Sequence, residues 1–195
     1  MCGTHAPEDA IQPEEYVTPE DAETLELMAA KIKSHNIIKL IRQHGGFETS
    51  MIWNYEGIPL KGRVDKHIPG GTCPATILDL KKVRSKKGDD ESFARSIKEY
   101  HYDIRAAMYV DAIKALTDEY PIFVWGIIED KRPFSINTIY ANRETLAVGR
   151  YKYKKLLDDY RHCENVGEWP GYSDDLHPGG LSEYEIKVHS SAIQE

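Results

Sequence analysis

Residues 57–71 read GIPLKGRVDKHIPGG and residues 75–83 read ATILDLKKV, and these two stretches decide how the chain is interpreted. In the first, Leu60, Gly62 and Val64 alternate with Lys61, Arg63 and Asp65, which predicts a strand over 60–68 after a turn at Gly57-Ile58-Pro59. Pro69-Gly70-Gly71 breaks the chain, and 75–83 predicts the next strand. Side chains two apart on a strand leave the same face, so Asp79 and Lys81 emerge side by side while Leu80 points away into the core. If the two strands are neighbours, Asp65 approaches Asp79 closely enough for both carboxylates to hold one hard divalent cation. An Asp-x-Lys triplet alone is most often an exposed salt-bridging face. Here Asp79 ends a run, Thr76-Ile77-Leu78, that reads as buried, and a carboxylate in that position requires a partner. Magnesium in such a site polarises a scissile phosphate and lowers the pKa of a bound water, and Lys81 is placed to orient that water or neutralise developing charge. Carboxylates plus lysine on one strand face therefore suit phosphodiester hydrolysis.

Working outward, 47–55 has period two, with Phe47, Thr49, Met51, Trp53 and Tyr55 on one face and Glu48, Ser50 and Asn54 on the other. With 60–68 it forms an antiparallel hairpin. Before it, Thr18-Pro19-Glu20-Asp21 carries a helix start, and Leu25, Met28, Ile32, Ile37, Leu40 and Ile41 give a helical stripe ended by Gly45-Gly46. After the third strand, 84–90 is a charged loop, and Phe93, Ile97, Tyr100, Ile104, Met108, Ala112 and Leu116 predict one helix over 91–116. Two strands follow, at 122–128 and around 135–140. Asn142 then caps a last helix with Leu146, Tyr153, Leu156 or Leu157, and Tyr160 along its stripe. The order predicts a mixed α/β domain, one sheet flanked by helices, over 18–172, with a loose lead-in at 1–17 and an irregular tail at 173–195.

Composition bounds the function. The 195 residues carry a net charge of −7, which alone disfavours a nucleic-acid partner. The distribution matters more than the sum: Lys81, Lys82, Arg84, Lys86 and Lys87 cluster within seven positions, and Arg150, Lys152, Lys154 and Lys155 form a second group. Three dispersed cysteines make neither a disulfide framework nor a zinc site. No apolar stretch is long enough to span a bilayer and no secretory signal opens the chain, so it reads as reduced and cytoplasmic.

The segments GIPLKGRVDKHIPGG, ILDLKKVRS and FARSIKEYHYDIRAAMYVDAI together resemble the exonuclease family typified by the RecE nuclease domain and related phage enzymes. That family lies in the RecB-like branch of the PD-(D/E)xK superfamily, whose restriction-endonuclease-like core is the fold expected here. The resemblance covers about residues 20–170, and GEWPGY at 167–172 is similar to the usual ending of such domains. It implies that Asp65, Asp79 and the Leu80 carbonyl hold magnesium, with manganese as a substitute, and that Lys81 is the catalytic lysine. It further implies a deoxyribonuclease working as an exonuclease on double-stranded ends in phage-type recombination. A DNA-enclosing homo-oligomeric ring and a single-strand annealing partner come with it. Lys82, Arg84, Lys86 and Lys87 are expected to contact phosphate.

Two positions depart from the family's pattern, and a third matches it with an open role. RecB-like nucleases carry Gln-x-x-x-Tyr on the helix after the Asp-x-Lys strand, and here Tyr109 matches while Arg105 replaces the glutamine. Arg105 either grips phosphate, disturbs the metal site, or is an ordinary surface arginine. The family's metal-binding histidine has only a faint echo in Gly3-Thr4-His5, where His5 is either a ligand or a terminal histidine. Glu48 matches an acid that RecB-like nucleases often carry before the G-x-x-D strand; it either assists the metal site or pairs with Lys61 or Arg63 across the hairpin, the second being favoured. These departures leave open a catalytically weakened DNA-end-binding or assembly module, or a restriction-type endonuclease.

Overall fold

In a computed structural model the described residues are 17–172, 179, 180 and 187. The chain divides into two compact units, Met1–Leu156 and Leu157–Glu195. The first carries a five-stranded sheet in sequence order: β1 (Gly46–Tyr55), β2 (Ile58–Ile68), β3 (Thr76–Val83), β4 (Ile122–Glu129) and β5 (Ile136–Tyr140). Only β3 and β4 pair in parallel. Parallel neighbours need a long crossover, and α3 (Asp90–Glu99) and α4 (Tyr102–Thr117) supply it. The expected mixed α/β sheet flanked by helices is therefore the architecture found.

Local chemistry explains the boundaries. Thr18 Oγ1 accepts from the Asp21 N–H at 3.1 Å and Pro19 opens α1 (Pro19–Ser34), as the capping signal predicts. The single stripe expected as far as Ile41 is in fact two helices. His35 turns extended after Ser34, its Nδ1 accepts from the Ile37 N–H at 3.2 Å, and α2 (Ile37–Ile41) follows. Helix α1 fully buries none of its residues, and Met28 and Ile32 of its apolar stripe are only half-buried. Ile37 is buried and reaches Gly126 on β4. The β1–β2 turn also sits earlier than expected, at Glu56-Gly57, so that β2 begins at Ile58 rather than Leu60. Glu56 and Gly57 both take positive φ, the geometry of a two-residue hairpin turn, and Tyr55 faces Ile58.

The helix predicted over 91–116 is likewise broken. Tyr100 ends α3, and His101 adopts the left-handed conformation with φ 53° before α4 begins. A left-handed residue cannot continue an α-helix, and the break re-aims every later side chain. Helix α4 then lays Ala106, Val110 and Ile113 on a core built with Phe93 of α3, Ile77 of β3, and Phe123, Trp125 and Ile127 of β4. Leu116, expected on the buried stripe, is half exposed.

The last helix, α5 (Arg143–Val166), starts as predicted, with Asn142 Oδ1 accepting from the Thr145 N–H at 2.8 Å. Within the first unit it is stapled to α4. Arg150 forks onto Asp111 at 2.6 and 2.8 Å, the Tyr153 hydroxyl donates to the same carboxylate at 2.5 Å, and Lys152 reaches Asp103 at 2.7 Å. The second basic group is thus partly internal, with Arg150 and Lys152 serving as structural ion pairs. In the second unit, the rings of Tyr160 and Trp169 lie 5.5 Å apart.

The α4–α5 contact leaves no room at Gly149, where a Cβ would lie 2.0 Å from the Asp103 carbonyl oxygen. Alanine is the better helix former by about 1 kcal/mol, whereas forcing two backbones apart costs about 1–3 kcal/mol. Gly149→Ala is therefore expected to lower stability by up to about 2 kcal/mol in urea unfolding. A higher midpoint would show that separating the helices costs less than the helix propensity gained.

Candidate active site

Strand β3 enters the core as a fully buried run, Thr76 to Leu78, and delivers Asp79 at its end, 4% exposed. The β2–β3 ladder runs Ile68↔Thr76, His67↔Ile77, Lys66↔Leu78 and then stops. Extending that register by one step would set Asp65 opposite Asp79. Instead the Asp65 carboxylate turns into the opening and accepts the Leu80 N–H at 2.6 Å. In an extended strand the N–H and C=O of one residue leave on the same side. The Leu80 carbonyl therefore also faces the gap beside Asp65, past the last β2 partner. Two carboxylates and one backbone carbonyl converge where the strands part, an all-oxygen donor set that matches a hard divalent cation.

The Leu80 side chain does not follow its expected course. It is 48% exposed and lies over Gly126 rather than in the core. The face of the sheet opposite Asp79 is covered only in part by α2, so a residue alternating with a buried one need not be buried itself.

Lys81 contacts the Asp79 carboxylate directly, and the two side chains are only 12% and 5% exposed. Its ammonium stands 5.1 Å from the centre of the Tyr102 ring. Burial holds the Asp79 carboxyl above its ordinary range. The Lys81 charge and hydrogen bond pull the other way, Asp65 pushes it further up, and Arg105 pulls it down. Burial also raises the Tyr102 phenol, with Tyr100 and Asp79 adding to the rise and Arg105 opposing it.

Arg105 is exposed on α4, yet its charge is felt by both Asp79 and Tyr102, so it belongs to the field of this site. Tyr109 lies one turn further along the same helix face. A Cβ at Gly62 would approach its ring to 2.6 Å, so glycine at this position lets α4 close over β2. Glu48 is not part of the cluster. It pairs with Arg63 at 3.0 Å, both well exposed, which is the cross-hairpin role favoured from the sequence. His5 lies outside the described residues. Among the described residues, no group of three or more His, Cys, Asp or Glu side chains gathers to hold a metal. Any further ligand to an ion here would come from elsewhere or from solvent.

Of the basic loop, Lys82, Arg84 and Lys87 line a cleft of about 530 Å³ with Arg95, Tyr100 and Tyr102, whereas Lys86 does not line it. The loop is anchored from beneath, since Asp130 accepts the Ser85 N–H and Glu129 the Gly88 N–H. Arg95, Tyr100 and Tyr102 are residues of this site that sequence reasoning misses. Tyr100 and Tyr102 are two apart and cannot share one face of an unbroken helix. The left-handed His101 brings their rings to 5.6 Å. A larger concavity of about 810 Å³, beside Ile122, Tyr140 and Arg143, contains none of the candidate catalytic residues.

A family model described as "PDDEXK-like domain of unknown function (DUF3799)" matches residues 7–177. No curated protein matches the chain by sequence. Among solved structures, a candidate exonuclease from Eubacterium rectale aligns with a TM-score of 0.64 and 18% identity, covering 87% of this chain. This chain spans 65% of the length of that protein. The structure of SSO0001 aligns with a TM-score of 0.38 and 16% identity, over 70% of this chain and 68% of the other.

The raised Asp79 carboxyl makes stability depend on pH with a definite sign. A carboxyl whose folded pKa exceeds its unfolded value favours folding while protonated, and that advantage is lost as pH rises through the folded value. Asp79→Asn removes this titration at nearly constant shape. In chelator, its stability relative to the parent is expected to increase as pH is raised from about 4 to 7, by roughly 1.4 kcal/mol for every tenfold by which folding tightens the carboxyl's hold on its proton. A difference independent of pH across that window would show that Lys81 and Arg105 fully offset the burial.

Proposed function

The chain belongs to the family of PDDEXK-like domains of unknown function, and on that premise we propose that it is a metal-dependent deoxyribonuclease acting as an exonuclease at double-stranded DNA ends. The observation that carries the reading is the placement of the Asp65 and Asp79 carboxylates beside the point where β2 and β3 part, with Lys81 against Asp79. Asp65, Asp79 and the Leu80 carbonyl would hold magnesium, or manganese in its place. A bound cation of this kind supplies Lewis-acid polarisation of the scissile phosphate and makes water a better nucleophile at neutral pH.

The chain's own groups do the rest. Lys81, tied to Asp79 and backed by the Tyr102 ring, presents its ammonium where it can orient the attacking water and offset charge developing on the phosphate. Arg105 and Tyr109, one turn apart on α4, present a charge and a hydroxyl from the opposite wall. The basic lip formed by Lys82, Arg84 and Lys87 holds the flanking backbone, with Lys86 beside it, so that an acidic chain still has a local path for phosphate. The description of the Eubacterium rectale neighbour as a candidate exonuclease is in keeping with this reading. Assembly into a ring around DNA, an annealing partner and a role in phage-type recombination belong to the same proposal and rest on the resemblance of the motifs.

Linear duplex and covalently closed circles, each incubated with magnesium or chelator, test the reading. Linear DNA is expected to be degraded and circles spared, with Asp79→Ala inactive and Lys81→Ala slower by at least about a hundredfold. Rapid cutting of circles would mark an endonuclease, and two variants as active as the parent would remove the site from the chemistry.

The position of Arg105 favours a role in gripping DNA over its being a stray surface residue. Arginine only donates and is always charged, whereas glutamine is neutral and also accepts. Arg105→Gln is expected to weaken DNA binding by about tenfold, in line with the loss of one charge-assisted phosphate contact. Faster cleavage at lower magnesium in this variant would instead identify Arg105 as the residue that repels the metal, and the chain as a weakened end-binding module.

A further inference from the structure

The cleft between the end of β3 and α3 carries two residues, Tyr100 and Arg95, that the hydrolytic reading does not use. Four of its lining side chains are cationic, Lys82, Arg84, Lys87 and Arg95, against one acid, Glu99. Among the described residues, Lys82, Arg84 and Lys87 make no ion pair, while Arg95 is shared with Glu91 at 2.6 Å. One wall is aromatic. Tyr100 is 59% exposed and stands with its ring 5.6 Å from Tyr102, and Tyr102 in turn backs the Lys81 ammonium. The cleft thus shares the Tyr102 ring with Lys81, which in turn contacts Asp79.

We infer that this cleft takes an unpaired nucleotide at a DNA strand end, its base stacked on Tyr100 and its phosphates held by Arg84, Lys87 and Lys82. This inference deepens the nuclease reading and rests on it for the identity of the polymer. A cleft of about 530 Å³ has the size of a small-molecule site. Cations that lack acidic partners suit phosphate, and an exposed tyrosine face suits any base. A base inside a duplex already has both faces stacked, so only a frayed or single-stranded terminus offers one to Tyr100. The left-handed His101 supports the assignment, because without it Tyr100 and Tyr102 would point to different sides of one helix. The strand end would then be parted from its complement beside the carboxylates.

Fluorescence anisotropy in chelator, with a labelled single-stranded oligonucleotide and a blunt hairpin duplex of the same composition, tests this directly. Tyr100→Ala is expected to weaken single-strand binding by about tenfold, the effect of removing one base–aromatic stack, and to change blunt-duplex binding by less than about twofold. Tyr100→Phe keeps the ring and is expected to bind as the parent does. Arg84→Ala combined with Lys87→Ala should flatten the salt dependence of single-strand binding by about 0.7 in log–log slope for each phosphate no longer neutralised. Equal weakening on single strand and duplex, or no weakening in Tyr100→Ala, would overturn the inference. Cleavage of linear DNA is followed in parallel with magnesium. An inactive parent whose single-strand binding still depends on Tyr100 would sink the nuclease reading alone. An active parent indifferent to Tyr100 would sink only the stacking site.

Discussion

The parting of β2 from β3 after the Lys66↔Leu78 pair is the feature on which the site depends. Up to that pair the two strands satisfy each other's backbone groups. Beyond it the Leu80 N–H would be left without a partner, and Asp65 takes it with a side-chain oxygen. One hydrogen bond therefore closes the ladder, fixes the Asp65 carboxylate and leaves the Leu80 carbonyl facing the same gap. The long β1–β2 hairpin keeps β2 rigid up to this point, and the parallel β3–β4 pair holds β3 from the other side. The placement of Asp65 is a consequence of sheet geometry rather than of a flexible loop.

Burying the charges in that gap is unfavourable to the fold. Asp79 loses solvation at the end of an apolar run, and contact with Lys81 compensates without fully offsetting it, which is why its carboxyl stays raised. The rest of the domain offsets this cost. Phe93, Phe123, Trp125 and Ile127 are almost wholly buried beneath α3 and α4, and Asp111 ties α4 to α5 through Arg150 and Tyr153. A buried carboxylate with a lysine on one oxygen is also a site prepared for a second cation, because the ion that displaces or joins the ammonium relieves the same desolvation.

Much of this is legible in the sequence, for physical reasons. The alternation through Gly62-Arg63-Val64-Asp65 and the apolar approach to Asp79 report strand period and burial directly, so the contact of Lys81 with Asp79 follows from pattern, whereas the metal and catalytic roles come from the resemblance. The caps at Thr18 and Asn142 are local chemistry and stand where expected. What cannot be read depends on tertiary choices. A left-handed His101 has no strong sequence mark, and it splits one expected helix while creating the Tyr100–Tyr102 wall. Leu80 is expected in the core because strand alternation says which face a side chain takes, but not whether anything covers that face. The stripe on α1 has the spacing of a buried helix and yet is only half-buried, since periodicity cannot name the surface it packs on.

The central claim is that Asp65 and Asp79 share one hard cation. Manganese titration followed by electron paramagnetic resonance, on the chain freed of metal, measures this without reference to any substrate. The parent is expected to remove manganese from the free-ion signal at a specific site, and Asp65→Asn combined with Asp79→Asn is expected to abolish that binding while the fold persists. Undiminished manganese binding by the double variant would contradict the claim, as would a parent that binds none.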